Sequence, residues 1–172
     1  MIIRVPDLKD EVRQLEFIEP AAELNTQVSA SPGANDQHFS TDLSVNAEIY
    51  RSGHDVHFQG SIDGQIRETC ARCLEEFDRP LHREFRFVIL PRTAGDDDAE
   101  DDEGVDHYSG DDLDLSPLVR EQALLSLESL PLCSEECRGL CASCGANLNG
   151  EKCACPETGN VHPLRSIEIR KV

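Results

Sequence analysis

Tryptophan is absent from this 172-residue chain, and aromatic residues make up only 5% of it. With a hydrophobic fraction of 38%, that shortage argues against a large core and makes some kind of cross-link an expected part of the fold. Long apolar runs are missing as well. No stretch approaches the ~18 apolar residues of a membrane span, so no transmembrane helix is expected. The opening MIIRVPDLKDEVRQLEF meets a charge every few positions and never gives the apolar run of a signal peptide, so a cytoplasmic location is the expectation. Eleven glycines and nine prolines interrupt the chain too often for long continuous helices. Basic residues are missing from one interval: between Arg92 and Arg120 there is neither Lys nor Arg. That interval holds eleven acids (Asp96, Asp97, Asp98, Glu100, Asp101, Asp102, Glu103, Asp106, Asp111, Asp112 and Asp114), and removing them from a net charge of −18 leaves −7 for everything else. The acidity is largely that of one loop.

What is present begins with alternation. Residues 1–19 carry Ile2, Ile3, Val5, Leu15, Phe17 and Ile18, enough for one or two short strands, and residues 20–40, with SPGAND at their centre, read as a loop. Leu43, Val45, Ala47 and Ile49 then alternate with Ser44, Asn46, Glu48 and Tyr50, which places apolar side chains on one face of a strand. After the turn RSGHD the period of two resumes in Val56, Phe58, Ile62 and Ile66, with Gly60 and Gly64 in register as bend or bulge positions. Beyond CARC, Leu81, Phe85, Phe87 and Ile89 alternate once more. Three such strands with short connections predict an antiparallel meander with one wet face.

The acidic stretch 95–112 cannot offset the entropy of ordering and is expected to be disordered. A helix should follow over 113–131, with Ser116 as N-cap, Pro117 at the first helical position, the preceding aspartates at the positive end of its dipole and Pro131 at its end. Leu115, Val119, Ala123, Leu127 and Leu130 form its apolar stripe. From Cys133 to Pro156 the chain is short turns punctuated by Cys and Gly, with no core of its own. The expected organisation is thus an antiparallel β domain over 1–94, an acidic loop over 95–112, the helix over 113–131, and a Cys-rich zinc module with the C-terminal tail over 132–172. The fold class is α+β: an antiparallel sheet or partly closed barrel with one main helix and that module.

Eight cysteines in a reducing cytosol are not four disulfides. Zinc takes four soft ligands in a tetrahedron, and a C-x2-C turn brings two sulfurs onto one ion without strain. Cys70 and Cys73 make one such pair; Cys141 and Cys144 make another, followed by Gly145, where positive φ tightens the turn. Cys133 and Cys137 stand four apart, and Cys153 and Cys155 two apart, which points both sulfurs the same way in extended chain. The preferred division is Cys70, Cys73, Cys133 and Cys137 for one zinc and Cys141, Cys144, Cys153 and Cys155 for a second. An exchange of Cys133 or Cys137 with a C-terminal thiol stays open, as does iron in place of zinc. A redox role for Cys70 and Cys73 is disfavoured because no βαβ pattern surrounds them.

His54, His57, His82 and His107 read as surface residues, and His162 as a substitute ligand at most. There is no phosphate loop, no helical H-E-x-x-H and no Ser–His–Asp order. Sites of four thiolates are closed, so no enzyme and no small-molecule substrate are expected.

The order of alternating strands, CARCLEEF, a strand ending FRFVILP, an acidic loop and then DLSPLVREQALLSLESLPLCSEECRGLCASCGANLNGEKCAC resembles the large ribosomal RNA subunit accumulation protein family, the YceD-like proteins of bacteria and plastids. The likeness runs from about Ser61 to the C-terminus, and the tail HPLRSIEIRKV departs from the Asp-Pro-Arg-like run of that family. It implies a non-enzymatic role in accumulation of large-subunit ribosomal RNA and in ribosome biogenesis. The implied partner is ribosomal RNA or a pre-ribosomal particle of the large subunit. A protein-binding adaptor or chaperone, whose acidic loop and leucine-rich helix hold a basic ribosomal protein, stays open as the alternative. Residues 51–92 contain seven arginines (Arg51, Arg67, Arg72, Arg79, Arg83, Arg86 and Arg92) against seven acids. Arginine suits phosphate contacts, yet no face reads as a basic stripe, and pairing with neighbouring acids is the expected use.

Overall fold

The computed structural model describes residues 1–30, 37–92 and 106–155. Its strands are β1 (Ile2–Arg4), β2 (Arg13–Glu19), β3 (His38–Phe39), β4 (Leu43–Ser52), β5 (Asp55–Thr69), β6 (Glu76–Pro91), β7 (Asp106–Tyr108) and β8 (Asp112–Asp114). Two helices accompany them, α1 (Ala21–Ala30) and α2 (Ser116–Leu124), with a single 3-10 turn at Val5–Asp7. The class is α+β. The main sheet runs β2-β4-β5-β6-β7, with β3 pairing β5 beyond the end of β4, and a separate ribbon joins β1 to β8. β2 and β7 stand at opposite edges, so the described strands make an open sheet and no closed barrel.

The period of two sets the register. Opposite partners share a face, so Ile49, Phe58 and Phe87 line up across three strands, as do Val45 and Ile62. β4, β5 and β6 form the expected antiparallel meander, and β4 turns into β5 through Gly53 at φ +64, the first residue of a two-residue hairpin loop. Gly60 is not a bulge, because the β4–β5 register is unbroken; it is a point of close backbone approach. A Cβ at Gly60 would lie 2.2 Å from the Asn46 carbonyl oxygen, so only glycine permits this approach. β6 starts at Glu76, earlier than alternation suggests, and Pro80 is tolerated where β6 has a neighbour on one side only among the described residues. The β6–β7 pairing is parallel, the one departure from antiparallel pairing among the described strands.

Both helices cover the inner face. Leu24 and Val28 of α1 and Val119 and Ala123 of α2 join Leu43, Val45, Ile49, Phe58, Ile62, Phe85 and Ile89 in one core. Three expectations change here. First, the loop expected over 20–40 contains α1. Its apolar positions Ala21, Leu24 and Val28 share a helical face, and its N-terminal amide at Ala21 is satisfied from afar by Asp42 Oδ1 at 2.9 Å. Residues 31–36 lie outside the described residues. Second, the end of the acidic stretch 95–112 is ordered: Asp106–Tyr108 extends the main sheet and Asp112 begins β8, while 95–105 lie outside the described residues.

Third, the single helix expected over 113–131 is short. Asp112–Asp114 pairs with β1, so α2 opens at Ser116 with Leu115 as its N-cap residue. The capping acceptor is Asp114 Oδ1, 3.0 Å from the Ser116 amide, and the Ser116 hydroxyl meets the chain's N-terminal amine instead. After Leu124 the amides of Ser126 and Leu127 reach back only three residues, to Ala123 and Leu124, and the helix unwinds. The stripe outlasts it by one member: Val119 and Ala123 are buried and Leu127 packs half-buried against the core, whereas Leu130 is exposed.

Candidate metal centres

Each of the two C-x2-C turns is built by the same pair of backbone bonds. In the β5–β6 connection the Cys70 amide donates to the Glu75 carbonyl at 2.9 Å and the Leu74 amide to the Cys70 carbonyl at 2.9 Å. In the C-terminal segment the Cys141 amide donates to Ala146 at 2.8 Å and the Gly145 amide to Cys141 at 2.9 Å. Both turns close through a residue at positive φ, Leu74 at 59° and Gly145 at 76°. Leucine is costly there, roughly 1–2 kcal/mol against the right-handed conformation. The first turn is therefore held by its surroundings.

Those surroundings are the chain after α2. The Ala71 amide donates to the Pro131 carbonyl at 2.8 Å, and the Leu140 amide to the Arg72 carbonyl at 3.1 Å. The Arg72 guanidinium donates to the carbonyls of Glu135 at 3.2 Å and Cys137 at 3.0 Å. Gly139 passes so close that a Cβ would stand 3.0 Å from the Arg72 carbonyl oxygen. These bonds bring Cys133 and Cys137 over the Cys70–Cys73 turn. Cys70, Cys73 and Cys137 are buried, with Phe77 and Leu132 packed against them.

The structure brings the eight sulfurs together as two sets of four. Cys70, Cys73, Cys133 and Cys137 form the first set and Cys141, Cys144, Cys153 and Cys155 the second, all Sγ atoms within 4.8 Å of one another in each. In the first, Cys70 to Cys137 and Cys73 to Cys133 are each 3.7 Å. In the second, Cys144 to Cys153 is 3.4 Å and Cys141 to Cys153 is 3.3 Å. Disulfide sulfurs lie ~2.05 Å apart, and no cysteine here is so bonded. Four sulfurs at ~2.3 Å around a tetrahedral ion stand ~3.8 Å from one another, which the first set matches and the second approaches. Either set is positioned to hold a metal ion.

The protonation pattern agrees with that use. Burial pushes the Cys70 thiol up, but backbone N–H groups of Cys133, Cys73 and Arg72 bring it down to about 6. In the second set, N–H groups of Cys144 and Ser143 hold Cys141 at about 6. The last thiols go the other way. Hydrogen bonding to the Cys137 sulfur, with burial, pushes Cys133 up to about 12, and bonding to the Cys153 sulfur pushes Cys155 to about 12. Each set gives up a first proton readily and a last one reluctantly, because negative charge accumulates on packed sulfurs. A central cation removes that penalty.

The other candidates stand apart from both sets. His57 stacks on Tyr50 with ring centroids 4.7 Å apart, His82 Nδ1 lies 2.6 Å from Asp63, His54 offers its carbonyl to Tyr108, and His107 sits in edge strand β7. His162 lies outside the described residues. The arginines are largely engaged within the fold: Arg67 grips Asp78 at 3.0 and 2.7 Å, Arg79 grips buried Glu68 at 2.7 and 3.0 Å, and Arg83 reaches Gln122 on α2. Sequence reasoning missed the positive φ of Leu74, the Arg72 contacts to the chain after α2, and Asn149, whose Nδ2 donates to Cys137 Sγ at 3.3 Å. The asparagine's signal was its place in a Gly- and Asn-rich turn between two cysteines.

No described helix is long and apolar enough to cross a membrane. No solved structure matches the chain. Among curated relatives, a large ribosomal RNA subunit accumulation protein YCED homolog 1, chloroplastic, of Zea mays is 35% identical over 157 residues, covering 74% of this chain and 54% of its own. The Arabidopsis thaliana protein of the same name is 26% identical over 141 residues, covering 67% and 44%. An uncharacterized protein of Mycobacterium tuberculosis is 29% identical over 123 residues, covering 69% and 56%. The chain thus spans about half the length of the curated relatives it matches. Residues 58–167, from β5 through both cysteine sets, match the family described as large ribosomal RNA subunit accumulation protein YceD, and the chain belongs to that family.

Proposed function

We propose that this protein is a non-enzymatic factor supporting accumulation of large-subunit ribosomal RNA, and that each set of four cysteines holds one structural zinc ion. The observation that carries the reading is the extent of the family match: residues 58–167 include every ligand of both sets. The matched part of the chain thus runs from β5 through β6, β7, β8 and α2 to both cysteine sets, and leaves out β2, β3 and β4. Four thiolates complete the coordination of a tetrahedral ion and leave no position for water or substrate, which supports a structural role over a catalytic one. The first ion would join the β5–β6 turn to the chain after α2; the second would close a segment whose side chains bury no core of their own. The proposed site of action is the cytoplasm, on the pre-ribosomal large subunit.

A second reading of the partner has its own support. Arg67, Arg72 and Arg79 are engaged in ion pairs or with backbone carbonyls, and each tetrathiolate zinc site would add about two negative charges. A surface of that sign suits a basic ribosomal protein better than phosphate. Depletion from cells is expected to lower large-subunit ribosomal RNA relative to small-subunit RNA; an unchanged ratio would overturn the main reading. Capture from lysate with and without nuclease separates the partners, since binding through RNA is lost on digestion. Neutralising Asp96, Asp97, Asp98, Glu100, Asp101, Asp102 and Glu103 should weaken binding to a basic protein and strengthen binding to RNA.

A further inference from the structure

Nine residues after Cys144, the chain returns to the second cysteine set at Cys153, and the loop between them reaches toward the first set. Asn149 Nδ2 donates to Cys137 Sγ at 3.3 Å, while its Oδ1 accepts the Arg138 amide at 2.7 Å. Asn147 Oδ1 steadies it, accepting from the Asn149 amide at 3.0 Å and from Asn149 Nδ2 at 2.9 Å. Asn147 Nδ2 in turn donates to Glu75 Oε1 at 3.3 Å, beside the first turn, and the Leu148 amide donates to the Gly139 carbonyl at 2.9 Å. No side chain from Ala146 to Gly150 is buried. Hydrogen bonds, and closure of the loop at Cys144 and Cys153, are what hold it.

We propose that Asn149 couples the two sets: a metal ion held by Cys141, Cys144, Cys153 and Cys155 orders the loop that places an N–H donor on Cys137, and so strengthens metal binding by Cys70, Cys73, Cys133 and Cys137. The inference rests on the proposal that both sets bind metal. Its physical basis is twofold. An N–H donor to a ligating thiolate draws charge from the sulfur and fixes its direction, and such outer partners are typically worth 10- to 100-fold in metal affinity. An open loop loses the donor, because the entropy of ordering it is no longer met by the ion that closes it. The coupling is reciprocal, so an ion in the first set favours filling the second. Asn149 is a positioning residue and not a ligand.

The test uses the full chain, the variants Cys153→Ser and Asn149→Ala, and the double variant. Zinc affinity of the first set is read by competition with a chromophoric chelator, and the charge-transfer band is read after cobalt(II) loading. Cys153→Ser should empty the second set and weaken the first roughly 10-fold or more. Asn149→Ala should keep two ions and weaken the first set by a similar factor, and the double variant should be no weaker there than either single one. In each variant the cobalt band of the first set should move to longer wavelength, since the sulfur lone pair loses its hydrogen bond. Unchanged first-set affinity in Cys153→Ser, or single effects that multiply in the double variant, would overturn the coupling while leaving the metal reading intact. A wild-type chain that binds no metal would overturn that reading itself.

Discussion

Substituting alanine for Arg79 would leave a carboxylate stranded in the protein interior. Glu68 is 0% exposed, and both its oxygens accept from Arg79, at 2.7 and 3.0 Å. The same guanidinium donates to the Ser126 carbonyl at 3.1 Å, where α2 has just unwound, so one side chain ties β6, β5 and the end of α2 together. Removing one member of a buried pair costs about 3–5 kcal/mol, because the remaining charge keeps its desolvation penalty and loses its partner. Against a total stability of about 5–15 kcal/mol, Arg79→Ala should be near the limit of folding. The double substitution Glu68→Leu with Arg79→Met removes both charges and should cost far less than the single one, within about 1–2 kcal/mol of wild type. Urea unfolding of the metal-loaded protein, followed by circular dichroism, measures both. The reasoning is refuted if Arg79→Ala costs less than about 1 kcal/mol, or if the double variant is as unstable as the single.

Further outcomes follow from other parts of the fold. Gly60→Ala should cost about 3 kcal/mol or more, measured by thermal unfolding, because its Cβ would meet the backbone of Asn46 and Ala47 at 2.2 and 2.6 Å. Chelation under reducing conditions should expose amides 133–155 to hydrogen exchange while β4, β5 and β6 keep their protection, since only the latter share the hydrophobic core. Collapse of the sheet at the same rate would contradict that division. The Asp63 hydrogen bond raises His82 above its ordinary 6.5. The resulting stabilisation is present in full below 6.5 and is lost as the pH rises through the folded value. An NMR titration should find the raised value, and Asp63→Asn should lower it, leaving the smaller upward pull of Glu84.

Where alternation of side chains decided structure, the sequence was readable. Leu43 to Ile49 and Val56 to Ile66 name the inner face of two strands without help, because a period of two leaves one choice of face. Cysteine spacing was legible for a similar reason: a C-x2-C turn constrains itself locally, and Gly145 carries the positive φ that such a turn requires. What escaped was settled by partners distant in the chain. α1 is capped by Asp42 and packs through only two buried residues, Leu24 and Val28, so its local signal is weak. α2 is shorter than its apolar stripe because Asp112–Asp114 is claimed by β1 and the carbonyl of Ser126 by Arg79. Leu74 takes a conformation usually left to glycine, and the cause, the stitching of residues 71 and 72 to 131–140, lies in contacts that no local pattern reveals.

The central proposal is that the two cysteine sets are closed zinc sites within a ribosomal RNA accumulation factor. Elemental analysis of the full chain, purified under reducing conditions without chelator, tests it most directly. The account predicts two zinc ions per chain, falling to one in Cys153→Ser with Cys70, Cys73, Cys133 and Cys137 still protected from alkylation. One ion or none in the wild-type protein, or eight thiols that alkylate at the rate of free cysteine, would contradict it.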